Sequence, residues 1–217
     1  MSGSMGGIRD ASVEGTQDYL SDLQKEEAKL IKEHGPGAYT YLTVTAFDTV
    51  YERWVDGVPA ADLDLGALSK YQPRGGTALY DAIADTITAM DSRVKDNEKV
   101  LVVVMTDGGE NASKEYSLQS GGRQRLHDMI KAYEKRGNWT FVYLGANVDS
   151  YQEASWIGIP TGNAVYYSTT GTSINTTSGA LGSMTWNLRT NSATSSLNAF
   201  SDAGLSNDYR DTSGGNS

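Results

Sequence analysis

Six consecutive apolar residues, Val100-Leu101-Val102-Val103-Val104-Met105, followed by Thr106-Asp107-Gly108, constrain the fold of this chain more than any other feature. A strand with one face in water alternates apolar and polar residues, whereas a run without polar interruption is covered on both faces, as in a parallel sheet flanked by helices. The run is far shorter than the roughly 20 residues needed to span a bilayer. The N-terminus also lacks a basic stretch followed by an apolar one, so the expectation is a cytoplasmic protein without an export signal.

The rest of the chain supplies the helices and strands that such a sheet needs. Ile8, Ala11, Tyr19, Leu23, Leu30 and Ile31 recur at helical spacing, which predicts a long amphipathic helix from about Ile8 to Glu33, stopped by His34-Gly35-Pro36-Gly37. Tyr39 to Phe47 alternates with period two and pairs with Val50 to Val55 as a hairpin through Asp48-Thr49. After Gly75-Gly76-Thr77 a helix carries Leu79, Ile83, Ile87 and Met90 on one face. A helix from about Ser120 to Arg136, a strand from Trp139 to Leu144, a helix from Asp149 to Ile157 and a strand from Ala164 to Tyr167 follow the apolar run. This alternation predicts an α/β fold with a doubly wound, mostly parallel sheet and helices on both faces. From Ser168 onward there is no lysine, and Ser, Thr, Gly and Asn dominate. The expected division is an α/β domain over 1–167, a Ser/Thr/Asn-rich extension with weak helices over 168–207, and a disordered tail over 208–217.

Composition removes whole classes of chemistry. The chain of 217 residues has 18 Lys and Arg against 27 Asp and Glu, a net charge of -9. That field repels phosphate backbones and anionic membranes, so neither nucleic acid nor membrane is an expected partner. There is no cysteine, which excludes thiolate metal sites, disulfides and a cysteine nucleophile, and the two histidines, His34 and His127, cannot build a histidine cage. His127 reads as a surface residue, and Trp54, Trp139, Trp156 and Trp186 read as packing residues.

Three polar loops fall where strands end or helices begin: Ser2-Gly3-Ser4-Met5, Gly75-Gly76-Thr77 and Thr106-Asp107-Gly108. In an open α/β sheet such loops gather at the carboxyl edge, where ligands bind. Hydroxyl and carboxylate oxygens are hard donors that suit Mg²⁺ or Mn²⁺. Each loop alone is an ordinary cap or turn. Together and in this order, with Ala78-Leu79-Tyr80-Asp81 and Val104-Met105 alongside, they resemble the metal-ion-dependent adhesion site of the von Willebrand factor type A domain, whose pattern is Asp-x-Ser-x-Ser, a distant Thr and a distant Asp. The resemblance covers residues 1–167. Its later part, Leu144 to Asp149 with Gly158-Ile159-Pro160 and Asn163, is similar to bacterial and bacteriophage members.

The resemblance implies that Ser2, Ser4 and Thr77 bind Mg²⁺ or Mn²⁺ through hydroxyls, that Asp107 reaches it through water, and that a partner carboxylate takes the sixth position. Glu110, Asn111 and Asp149 are the expected rim of the partner-binding surface. Asp81, in the first turn of its helix, is read as a favourable charge at the helix dipole. The pattern's first Asp falls immediately before Met1, on a strand that is central in the family. Without it, Val100 to Met105 and Tyr39 to Phe47 are each left with an unpaired edge. Two explanations stand: a start placed too far downstream, or a variant in which another segment or subunit fills the gap. With Asp107 as the single outer carboxylate, and an α-amine of ordinary pKa roughly 7.7 to 8.0 beside the metal, binding is expected to be weak and to rise with pH.

The expected function is a noncatalytic module that grips an Asp or Glu of a partner protein through the metal, since neither a histidine nor a second carboxylate is placed to act as general base. The alternatives are a bacterial or bacteriophage structural or assembly protein with a degenerate site and, less favoured, a metal-dependent enzyme acting on phosphate esters at a helix N-terminus.

Overall fold

A computed structural model describes residues 3–36, 39–66, 75–145, 150–166 and 171–190, with side chains for 15–36, 39–66, 75–145, 151–165 and 179–189. Helix α1 runs over Gly3–His34, so Gly3, Ser4 and Met5 belong to the helix and do not form a loop ahead of it. It ends at Gly35, whose φ of +95° lets its N–H return to the Ile31 carbonyl at 3.0 Å, and Pro36 follows. The hairpin pairs β1 (Tyr41–Phe47) antiparallel with β2 (Tyr51–Pro59), longer than the periodicity suggested. Its turn is held by Asp48, whose carboxylate accepts the Val50 N–H at 2.8 Å.

Helix α2 (Leu79–Asp91) precedes β3 (Val100–Thr106); α3 (Gly122–Lys135) leads to β4 (Trp139–Gly145), and α4 (Ser150–Trp156) to β5 (Ala164–Tyr166). Strands β3, β4 and β5 form a parallel sheet in that order, with Val100 opposite Trp139 and Tyr143 opposite Ala164. The apolar run is covered on both faces. Val100, Val102 and Val104 pack with Leu79, Ile83 and Ile87 of α2, Leu126 and Ile130 of α3, and Ile157 just after α4. On the other face Leu101, Val103 and Met105 pack with Tyr19 of α1 and with Leu181 and Met184 of α5 (Gly171–Thr190). The α/β class is therefore present, with helices on both faces.

The strands do not form one sheet. β1–β2 and β3–β4–β5 are separate, and among the described residues no ladder joins β1 to β3. The two strands nevertheless run the same way. At their N-terminal ends, α5 touches both, through Arg189 against Thr40 and through the Leu188 carbonyl, which accepts from Lys99 at 2.7 Å. At their C-terminal ends, both meet the 75–78 segment: Ala78 N–H donates to the Asp48 carbonyl at 2.7 Å, and Asn111 N–H donates to the Thr77 carbonyl at 3.0 Å. A hydrophobic cluster of Leu20 and Leu23 on α1 with Val55 and Leu63 ties the hairpin to the same helix that covers β3.

Helix α5 is a firm part of the body. Its Ala180, Leu181 and Met184 are core residues, Thr185 lies 2.8 Å from the Tyr19 hydroxyl, and Arg189 pairs with Glu27 at 3.3 Å. Burial pushes the Tyr19 phenol above its ordinary pKa, the Thr185 bond opposing it. Leu197, Phe200 and the tail over 208–217 lie outside the described residues. Among the described residues no helix is long and apolar enough to cross a membrane.

Candidate functional site

The carboxyl ends of β1 and β3 and the start of α2 form one hydrogen-bonded unit, assembled by residues far apart in sequence. Thr77 is gripped on both sides by one neighbour: its N–H donates to Asn111 Oδ1 at 2.8 Å, and its carbonyl accepts from Asn111 N–H. Ala112 N–H reaches the same carbonyl at 3.2 Å. The glycines allow this approach. A Cβ on Gly108 would sit 3.0 Å from Thr77 Oγ1, and one on Gly76 would sit 2.9 Å from the Ala112 methyl and 3.1 Å from Asn111 Oδ1. Gly75, with φ of +136°, turns the chain into this segment.

Glu110, expected on a partner-binding rim, spends its carboxylate on the chain's own donors. One carboxylate oxygen accepts from Ala112 and Ser113 N–H at 3.0 and 2.8 Å; the other accepts from Tyr80 N–H at 2.9 Å and from the Ser113 hydroxyl at 2.6 Å. A carboxylate with four donors is consumed, because turning it to solvent would strand those donors. Asp81 does more than complement a dipole: it accepts from Lys114, Glu115 and Tyr116 N–H at 2.7, 3.3 and 2.7 Å. In return, Asp81 N–H donates to the Ser113 hydroxyl at 3.1 Å. The loop after β3 and the first turn of α2 thus cap each other.

This capping bears on anion binding. The N–H groups of Thr77, Ala78, Tyr80 and Asp81 are taken by Asn111, the Asp48 carbonyl, Glu110 and Ser113. The anion that a helix N-terminus favours is here the chain's own Glu110, and a phosphate would have to displace it.

Two oxygen donors remain uncommitted. Asp107 is exposed at the end of β3, and neither its carboxylate nor Thr77 Oγ1 makes a hydrogen bond or ion pair among the described residues. They stand on adjoining segments: Thr77 Oγ1 lies 3.0 Å from where a Cβ on Gly108, the residue after Asp107, would fall. Thr106, between them, is spent locally, its hydroxyl donating to the Gly108 carbonyl at 2.8 Å. Ser4 lies in α1, with its side chain outside the described residues; Ser2 and Asp149 lie outside them altogether. Among the described residues no three His, Asp or Glu side chains gather, so a cation here would depend on hydroxyls and on Asp107. Those are hard donors that fit Mg²⁺ or Mn²⁺.

Below the site, Tyr80 links three helices. Its buried hydroxyl donates to Glu153 at 2.6 Å and accepts from Arg123 Nε at 3.2 Å, and Arg123 stacks 4.1 Å over the Trp156 ring. Burial first, and the Glu153 carboxylate second, push the Tyr80 phenol far above its ordinary pKa. Tyr80→Phe is expected to cost about 1–3 kcal/mol in urea unfolding, because it leaves Glu153 without its donor; a loss within 0.3 kcal/mol would show the link to be idle. Trp139 is a core residue and Trp54 packs on the hairpin cluster, as expected of packing residues, whereas Trp156, beneath Arg123, and Trp186 remain 41% and 44% exposed. His127 is half-buried, its ring against Gly158, where a Cβ would come within 2.9 Å of it.

The roles of Asp48, Asp81 and Ser113 are not legible in the sequence. The one available signal was Asp81 in a helix first turn, and nothing local marks the loop it holds. No family model matches the chain, and comparison with curated proteins gives no match.

Proposed function

We propose that the chain is a noncatalytic protein-binding module that holds Mg²⁺ or Mn²⁺ and, through it, the Asp or Glu carboxylate of a partner. The observation that carries this reading is that, among the described residues, Thr77 Oγ1 and the Asp107 carboxylate make no hydrogen bond or ion pair while Asn111 Oδ1, Glu110 and Asp81, the ring of oxygens beside them, are engaged. Ser2 and Ser4 complete the ligand set in the resemblance to the von Willebrand factor type A domain. Catalysis is disfavoured because Glu110 and Asp81 are saturated with N–H donors, which leaves Asp107, the ligand in this reading, without a second carboxylate in the ring to serve as a base. A second reading, an assembly protein with a degenerate site, is favoured by Asp107 being the one uncommitted carboxylate described in this ring.

Mn²⁺ titration by calorimetry decides between them. Asp107→Ala and Thr77→Ala are each expected to weaken Mn²⁺ binding at least ~10-fold without loss of folding, and a chain carrying an aspartate immediately before Met1 is expected to bind more tightly. Equal affinity in all four proteins would sink the adhesion-site reading. Indifference of partner capture to EDTA would support the assembly role.

A further inference from the structure

We propose that Asn111 is the positioning residue of this site, setting the Thr77 hydroxyl where it and Asp107 act on one cation; this rests on the metal-binding reading above.

Thr77 belongs to an irregular segment between Gly75 and α2. A glycine at 75 with φ of +136° and another at 76 give that segment little stiffness of its own. A hydroxyl on such a segment would sample many positions, and a weak site with few charged ligands cannot also meet the cost of ordering it. The order comes from outside. Asn111 is exposed, yet it holds both main-chain groups of Thr77, its side chain accepting the N–H at 2.8 Å and its own N–H donating to the carbonyl at 3.0 Å.

Asn111 is in turn fixed by the residues on either side of it. Glu110 ties the loop to Tyr80 N–H, and Ala112 N–H donates to both Glu110 and the Thr77 carbonyl. Asp81 holds the loop further on at Lys114 and Tyr116. The loop that carries Asn111 is also the one that leaves β3 through Asp107. Donors from two distant segments therefore move as one body, and the Asn111 amide is the contact through which the β3 loop reads the position of Thr77. This gives Asn111 a role other than the partner-facing rim its sequence position suggested.

The test uses the full chain with Asn111→Ala and Asn111→Asp. The alanine removes the acceptor for Thr77 N–H and no other hydrogen bond of that side chain among the described residues, so the chain should stay folded and its thermal midpoint fall by only a few degrees, the cost of one exposed hydrogen bond. The aspartate restores an acceptor of the same length. Two readouts are taken: hydrogen exchange of the Thr77 amide without metal, and Mn²⁺-induced broadening of the Thr77 and Gly108 amide signals. Asn111→Ala is expected to speed Thr77 exchange at least ~10-fold and to weaken Mn²⁺ about 10-fold, with Asn111→Asp returning both to within about 3-fold. Unchanged Mn²⁺ affinity in Asn111→Ala, while the unsubstituted chain shows broadening at Thr77, overturns the role of Asn111 alone. No broadening at Thr77 in the unsubstituted chain at millimolar Mn²⁺ overturns the metal reading and this role with it, whatever the exchange shows.

Discussion

Replacing Arg189 by alanine is expected to lower the unfolding free energy by about 3–5 kcal/mol, the usual cost of leaving one partner of a buried ion pair alone. Glu27 is fully buried on α1, where one carboxylate oxygen accepts from Tyr39 and Thr40 N–H at 2.6 and 3.2 Å and the other lies 3.3 Å from Arg189. Arg189 also reaches the Thr40 hydroxyl. The pair joins the C-terminal end of α5 to α1 and to the entry of β1, so its loss should release α5 from a core that contains Leu181 and Met184. In the double variant Glu27→Gln with Arg189→Met no buried charge remains, and the cost should fall well below that of Arg189→Ala. Urea unfolding of the single and double variants measures this directly. A loss under 1 kcal/mol for Arg189→Ala would mean that water reaches Glu27 and that α5 is held by its apolar contacts alone.

Gly122→Ala should be the most damaging single methyl in the described part of the chain. Gly122 opens α3, and a Cβ there would fall 2.0 Å from the carbonyl carbon and oxygen of Tyr116 and 2.5 Å from its Cα. Backbone atoms cannot swing aside as a flexible side chain can, and Tyr116 is held by its N–H to Asp81 and by Arg125 stacked 4.6 Å from its ring. The methyl must therefore open the 116–121 turn and pull on the Asp81 clamp, an effect expected to exceed about 4 kcal/mol. Gly121 supplies the control. It has φ of +72° with open space around its Cα, so Gly121→Ala should cost only the left-handed backbone penalty of about 1–2 kcal/mol. Thermal unfolding of the two variants separates the mechanisms, and similar midpoints for both would show that the turn yields easily.

The site itself was partly readable and partly not. Thr77 and Asp107 stand out in the sequence because a hydroxyl after paired glycines and an acid after a buried strand are local patterns. The role of Glu110 is not local: whether a loop carboxylate faces a partner or caps a helix depends on which N–H groups the fold delivers to it. Here it receives Tyr80 N–H from 30 residues upstream. Asp81 is the same case, holding N–H groups more than 30 residues further along the chain.

Periodicity and punctuation along the chain determined the order of helices and strands, the double covering of Val100 to Met105, the glycine stop of α1 at Gly35 and the place of β4 and β5, because each depends on neighbours within one or two turns. Tertiary structure alone decided that the strands divide into two sheets, that Gly3 to Met5 join α1, and that α5 is anchored to the core through Glu27 and Arg189, 162 residues apart. It also decided which carboxylates are spent and which are left. The physical reason is that a hydrophobic period is written in a single segment, whereas a hydrogen bond or a buried ion pair is defined only when two segments meet, and the cost of leaving either half unpaired selects the arrangement.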